Sequence, residues 1–288
     1  MNATASIVCK AFLERSPPEK QAKLLRFLSA HDQQNLQELP VSYHKDPTEG
    51  FSTEEALLKR IHYSWLDPLF RTFSESEVGL FLSALDPLQA KGLKKLLLFS
   101  NHGASLTKLG RTFLQKTLWK RLSDEQIVPI ECLPESPLNV LLELETDDLL
   151  LMISFLGLHD LGAEVKQIIE TAKLKQIYAA LSPSELAFLK TLLHRKEPLT
   201  FKRLDLQTWD GKKASLRQLL DQRGINRLAK ALYRKEKSLL WHVSHRLDRE
   251  IGEALVKLST PLEHVRAQEI LIGQVTELLP LIQTQQPS

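Results

Sequence analysis

The stretch Leu219–Tyr233, LLDQRGINRLAKALY, carries the clearest reading of the fold in this 288-residue chain. Ile225, Leu228, Ala229 and Leu232 fall at i, i+3, i+4 and i+7, the spacing that lines one face of an α-helix. Asp221 reads as the N-cap of that helix, with Leu220 and Ile225 at the staple positions either side of its first turn. Opposite the apolar face, Arg223, Arg227, Lys230 and Arg234 follow at i, i+4, i+7 and i+11 as a basic ridge. Two readings of the ridge stand side by side: a solvated face, or a dock for an acidic partner.

The same apolar spacing returns in Leu271, Val275, Leu278 and Ile282. Composition extends it to the whole chain. There are 58 leucines against 13 isoleucines and 10 valines, with only 11 glycines and 14 prolines. Leucine keeps its rotamer freedom in a helix, whereas strands enrich β-branched residues. The expected fold class is therefore all-α, a multi-helix array of short, stacked helical units of the armadillo kind, and sandwiches, barrels and parallel sheets are disfavoured.

Helix starts recur. Ser52 with Glu55, Ser74 with Glu77, Ser123 with Gln126 and Ser182 with Glu185 read as capping boxes. Asp86-Pro87, Ser182-Pro183 and Thr260-Pro261 add a cap followed by proline at the first helical position. The breaker-rich run Pro40–Ser52 reads as a linker. The expected organisation is an N-terminal helical segment (1–39), the linker (40–52), helical subdomains over 53–136 and 137–198, and a C-terminal helical domain (199–288). The most apolar run, Leu149–Leu158, is fenced by Asp147, Asp148 and Asp160. It is far short of the about 20 apolar residues that span a bilayer, so it reads as a buried core helix. With no signal-peptide pattern in residues 1–30, and with Cys9 and Cys132 lacking metal or redox spacing, a reducing cytoplasmic setting is expected.

Net charge is +3, but it is segregated. Residues 91–122 carry eight Lys/Arg and no acid, while residues 123–170 carry eleven acids and one lysine. Residues 190–257 hold 17 basic and eight acidic residues. Such blocks either face one another within the molecule or guide association with a partner. An acidic block as large as the basic ones argues against nucleic acid as the partner.

Motifs for chemistry are scarce. The chain has no phosphate-binding glycine loop, nucleophile elbow, HExxH or CxxC. His242 and His245, at i and i+3 with Asp248 beyond, are the nearest approach to a metal pair, and a packed helix around Trp241 explains them more simply. The expectation is a protein without enzymatic activity, cofactor or metal. The aromatic stretch Leu57–Phe70, LLKRIHYSWLDPLF, suits either an interface or a buried helix end.

Two resemblances give these segments a direction. The run Leu-Leu-Asp221-Gln-Arg223-Gly-Ile225-Asn-Arg227-Leu, followed by Ser238-Leu-Leu and Thr260-Pro261-Leu262, resembles the C-terminal region of the flagellar rotor switch protein FliG over about residues 215–282. In that family the charged helix faces the stator; here Gln222 stands in place of one of its paired acids. Separately, Ile61-His62-Tyr63-Ser64-Trp65-Leu66 resembles a motif of the SctK group of type III secretion accessory proteins, with Tyr63 where that group usually has proline. Together they imply FliG-like stacked helices and a cytoplasmic scaffold of a secretion apparatus. It would link the inner-membrane ring to sorting-platform pod components, peripheral to the membrane through partners only, with self-association as a further expectation. The implied interaction residues are Ile61, His62, Trp65, Leu66, Asp221, Arg223, Arg227, Lys230 and Arg234. The alternative is a helical nucleic-acid-binding or regulatory protein using the basic segments 91–122 and 190–257, and a third is a metal-dependent hydrolase using His242 and His245.

Overall fold

Leucine-rich segments punctuated by caps should fold as helices, and among the described residues every regular element of the computed structural model is one. It describes residues 3–39, 51–100, 104–123, 126–199, 201, 203, 204, 206, 209–262 and 265–283. The chain divides into two units, Met1–Ser136 with Glu236–His242, and Pro137–Lys235 with Val243–Ser288. Residues 137–198 and most of 199–288 thus pack within one unit, and residues 40–50 of the expected linker lie outside the described residues.

The first unit contains α1 (Ala3–Glu14), α2 (Pro18–Leu25), α3 (Ala30–Glu38), α4 (Glu54–Lys59), α5 (Asp67–Phe70), α6 (Glu75–Leu82), α7 (Pro87–Leu97) and α8 (Lys108–Leu122), with a 3-10 turn at Tyr63–Trp65. Its core gathers Leu58, Ile61, Leu66, Phe70, Phe81, Leu93 and Leu118. Buried amides tie the helices across this core: Gln89 Nε2 donates to the Leu58 and Ile61 carbonyls at 2.9 and 2.6 Å, and Gln115 Nε2 donates to the Ala84 carbonyl at 3.0 Å. The helix starts at Ser74 and Asp86 form as the sequence predicts. The Glu77 carboxylate accepts from Ser74, and Asp86 accepts from the Leu88 amide. Two others differ. Thr53 rather than Ser52 caps α4, because Ser52 gives its amide and hydroxyl to Glu131 at 2.8 and 2.6 Å. Ser123 closes α8 instead of opening a helix, donating to the Trp119 carbonyl four residues back.

The second unit contains α9 (Thr146–Val165), α10 (Thr171–Ala180), α11 (Pro183–Leu193), α12 (Lys213–Leu232), the end of α13 (Lys237–Arg246), α14 (Arg249–Leu258) and α15 (Val265–Gln283). Helix α9 is buried all round from Met152 to Gly162, mostly through apolar side chains with Ser154, His159 and Asp160 among them, so it forms the axis against which α11, α12 and α15 pack. Two glycines set its approach to α12. A Cβ on Gly157 would lie 2.1 Å from the Leu220 carbonyl oxygen, and one on Gly224 would lie 1.7 Å from that of Ile153. The backbones therefore touch where side chains would hold them apart. The capping box of Ser182 forms, and Arg217 of α12 grips the same Glu185 carboxylate with both guanidinium nitrogens, at 2.5 and 3.0 Å. Thr260 and Pro261 are outside any helix. No described helix is long and apolar enough to cross a membrane.

Candidate functional site

Helix α12 begins eight residues before Asp221, so Asp221 is an interior helical residue and not an N-cap. Its carboxylate is half-buried and accepts a hydrogen bond from Ser154 Oγ of α9 at 2.8 Å. Burial raises the Asp221 carboxyl above its ordinary value, with Glu185 adding to this, and Ser154 and Arg217 only partly oppose it.

The basic ridge does not stand as a solvent-facing row. Arg227 is 0% exposed. Its Nη2 donates to Asp160 Oδ1 at 2.6 Å and to the Leu199 carbonyl at 3.2 Å; its Nη1 donates to Gln274 Oε1 at 2.7 Å and Glu197 Oε1 at 3.2 Å. Phe201 lies against the guanidinium, 5.2 Å from ring centroid to carbon. The physical reason is that α9, α14 and α15 all pack on α12, and no residue from Arg223 to Leu232 is left exposed. A buried cation in that position needs partners, and Asp160 and Glu197 supply them. The rest of the ridge is also engaged. Arg223 donates to the Arg203 carbonyl at 2.9 Å, and Lys230, its ammonium pushed below the usual lysine value by burial, holds both the carbonyl and hydroxyl of Thr260. Arg234 is exposed and takes a left-handed backbone, φ 57°, after the helix end.

The Arg227 cluster continues to His159, whose Nδ1 donates to Glu197 Oε2 at 2.9 Å, and to Gln274, whose Nε2 donates to Glu197 Oε1 at 2.7 Å. Burial alone would raise the Glu197 carboxyl, but His159, Arg227 and Gln274 together hold it below the ordinary range. A carboxylate that orients a histidine is a familiar catalytic part. Here the histidine's other nitrogen is buried with no hydrogen-bond partner, its ring set edge-on against Phe188 with centroids 5.7 Å apart. Among the described residues no hydroxyl or thiol bonds to that nitrogen, and the cluster ties α9, α12 and α15 to the segment that carries Glu197 and Leu199. A cavity of about 250 Å³ lined by Asp160, Glu164, Gln167, Phe201 and Arg203 opens beside it.

The aromatic stretch is also mostly structural. Ile61 and Leu66, expected at an interface, are buried core residues, 4% and 0% exposed, because the 3-10 turn between them folds back onto α7. His62 caps that turn, its Nδ1 2.7 Å from Ser64 Oγ, and the Tyr63 ring lies flat on Gly92, where a Cβ would meet it at 2.6 Å. His62 and Trp65 are partly exposed. His242 donates from Nε2 to the Val128 carbonyl at 3.1 Å, with its ring 5.1 Å from that of Trp241. The described residues hold no cluster of three or more metal-ligating side chains.

An exposed apolar pair lies on α8, which the ridge and motif readings passed over. Thr107 caps this helix and Leu114, Gln115 and Leu118 face the core. Leu109 and Phe113 point the other way, 82% and 68% exposed, on a helix whose charged residues are all basic. The signal was present in the sequence as two apolar residues off the phase of the buried face. No protein-family model matches the chain, and neither a curated protein nor a solved structure matches it significantly.

Proposed function

We propose that this chain is a non-catalytic helical adaptor at the cytoplasmic face of the inner membrane, in a type III secretion (flagellum-related) apparatus, linking ring and pod components. The observation that carries the non-catalytic part is the use to which the buried titratable groups are put. Arg227, Asp160, Glu197, His159 and Glu185 are largely buried and spent on ion pairs and hydrogen bonds that join separate chain segments, with Arg217 closing over Glu185. The direction toward a secretion apparatus rests on the SctK-like stretch Ile61–Leu66 and on the FliG-like run around Asp221. The latter run supports a shared way of packing rather than a torque-bearing surface, since Arg227 and Gly224 are internal.

The test is capture of ring and pod components from detergent extracts by the full chain. The variant Arg234→Glu leaves Arg227 and the Lys230–Thr260 contact in place, and so examines docking at an exposed position without disturbing the interior. Enrichment of either component by the wild type supports the reading, and its reduction in the variant assigns the contact to that end of α12. Enrichment of neither sinks it.

A further inference from the structure

The outer face of α8 combines three features that internal packing does not explain. At 100° per residue, Leu109, Phe113, Lys116 and Lys120 fall within an arc of about 60°, opposite the core-facing Leu114 and Leu118. Leu109 and Phe113 are large apolar side chains left in solvent, one helical turn apart. The helix carries Lys108, Arg111, Lys116, Lys120 and Arg121 with no acid, and two of these stand in its first turn, where the macrodipole disfavours positive charge. Lys116 has one weak partner, Glu54 at 3.6 Å, and Lys108, Arg111 and Lys120 form no ion pair with described residues. A sequence that accepts exposed Leu and Phe, and lysine at the wrong helix end, is shaped by something outside the fold.

We propose that the α8 face is a direct docking surface for an anionic lipid bilayer, with Leu109 and Phe113 entering the headgroup layer and the flanking lysines meeting lipid phosphates and carboxylates. The proposal goes beyond the adaptor reading, which brings the chain to a membrane only through partners. Charge complementarity requires an anionic occupant, and shape selects among the candidates. Leu109 and Phe113 stand on a ridge, and a fluid interface yields to a ridge while burying its apolar tips. A nucleic acid would pair with the lysines but leave Leu109 unburied.

The experiment is vesicle co-sedimentation of the full chain. One set of vesicles is phosphatidylcholine alone and the other contains about 30 mol% phosphatidylserine. Binding to the serine-containing vesicles only, released when NaCl is raised from about 50 to about 500 mM, is the expected result. Leu109→Ser with Phe113→Ser, and separately Lys108→Glu with Lys120→Glu, should each weaken binding at least about tenfold. All four positions are solvent-exposed, so both variants should keep the wild-type circular dichroism, and Lys108→Glu also improves the first turn of α8. Absence of sedimentation with anionic vesicles overturns the proposal. So does equal binding to neutral vesicles, wild-type binding by both folded variants, or capture of duplex DNA or polyglutamate in place of vesicles.

Discussion

Replacing Arg227 by Met should unfold the second unit at far lower denaturant than the wild type. Met matches much of the length of the arginine side chain but removes the charge and the donors that reach Asp160, Glu197, Gln274 and the Leu199 carbonyl. Two carboxylates, 6% and 11% exposed, would then be left without their cation. Breaking a buried pair from one side costs about 3–5 kcal/mol, mostly as the penalty of the stranded charge. With a urea m-value of about 2 kcal/mol/M, that is a fall of about 2 M in midpoint, readable by far-UV circular dichroism. The triple variant Arg227→Met, Asp160→Asn, Glu197→Gln should recover much of the loss, since it removes the stranded charges as well. Arg223→Ala, which gives up one carbonyl contact near the surface, should cost less than about 1 kcal/mol. If Arg227→Met and Arg223→Ala cost the same, or if the triple variant is no better than the single, the buried-cluster argument fails. The same geometry means that Arg227→Glu would report on folding rather than on docking.

Gly224→Ala should destabilise by about 1–3 kcal/mol or more in a thermal melt, because its Cβ would sit 1.7 Å from a backbone oxygen and α9 would have to move. Gly273→Ala on α15, with nothing within 4 Å of the new Cβ, should instead gain up to about 1 kcal/mol, and a loss there would contradict the open placement. Burial pushes the His242 imidazole below its ordinary value and the Arg60 charge adds to this, although the Val128 carbonyl and Glu131 pull it partly back. The first unit should therefore hold its full stability above about pH 6.5 and lose some as pH falls through the lowered folded value, followed by tryptophan fluorescence; His242→Gln should flatten that slope. Glu197 and Glu185 lie below the ordinary carboxyl value despite burial, so the second unit should lose stability only as pH falls below about 4.3. Asp221 is raised, so Asp221→Asn should raise the midpoint at neutral pH, by an amount that disappears in acid.

Much of the fold was legible because its signals are local. The cap at Ser182 needs only Glu185 three residues on, and the seam Leu271, Val275, Leu278, Ile282 needs only the helical repeat; all four of those residues are buried. Some starts failed locally, Ser123 by bonding back to Trp119 and Asp221 by lying inside a longer helix, and one failed through a distant partner. Ser52 was claimed by Glu131, 79 residues away. The functional reading suffered most from the same limit. Periodicity puts Arg223, Arg227 and Lys230 on one stripe of α12, but a stripe has no inside or outside until its neighbours arrive.

By itself, then, the sequence determined that this chain is helical, where α6, α7 and α11 begin, and which residues share a helical face. Each of those follows from backbone hydrogen bonding and rotamer freedom within a few residues. Only the tertiary structure decided which faces meet water. Helices far apart in sequence enclose the end of α12 and turn Arg227 inward onto Asp160 and Glu197, while nothing among the described residues covers Leu109 and Phe113. Desolvation is a property of the assembled packing, so one arginine became an internal strut while α8, within the basic block 91–122, kept Leu109 and Phe113 in solvent.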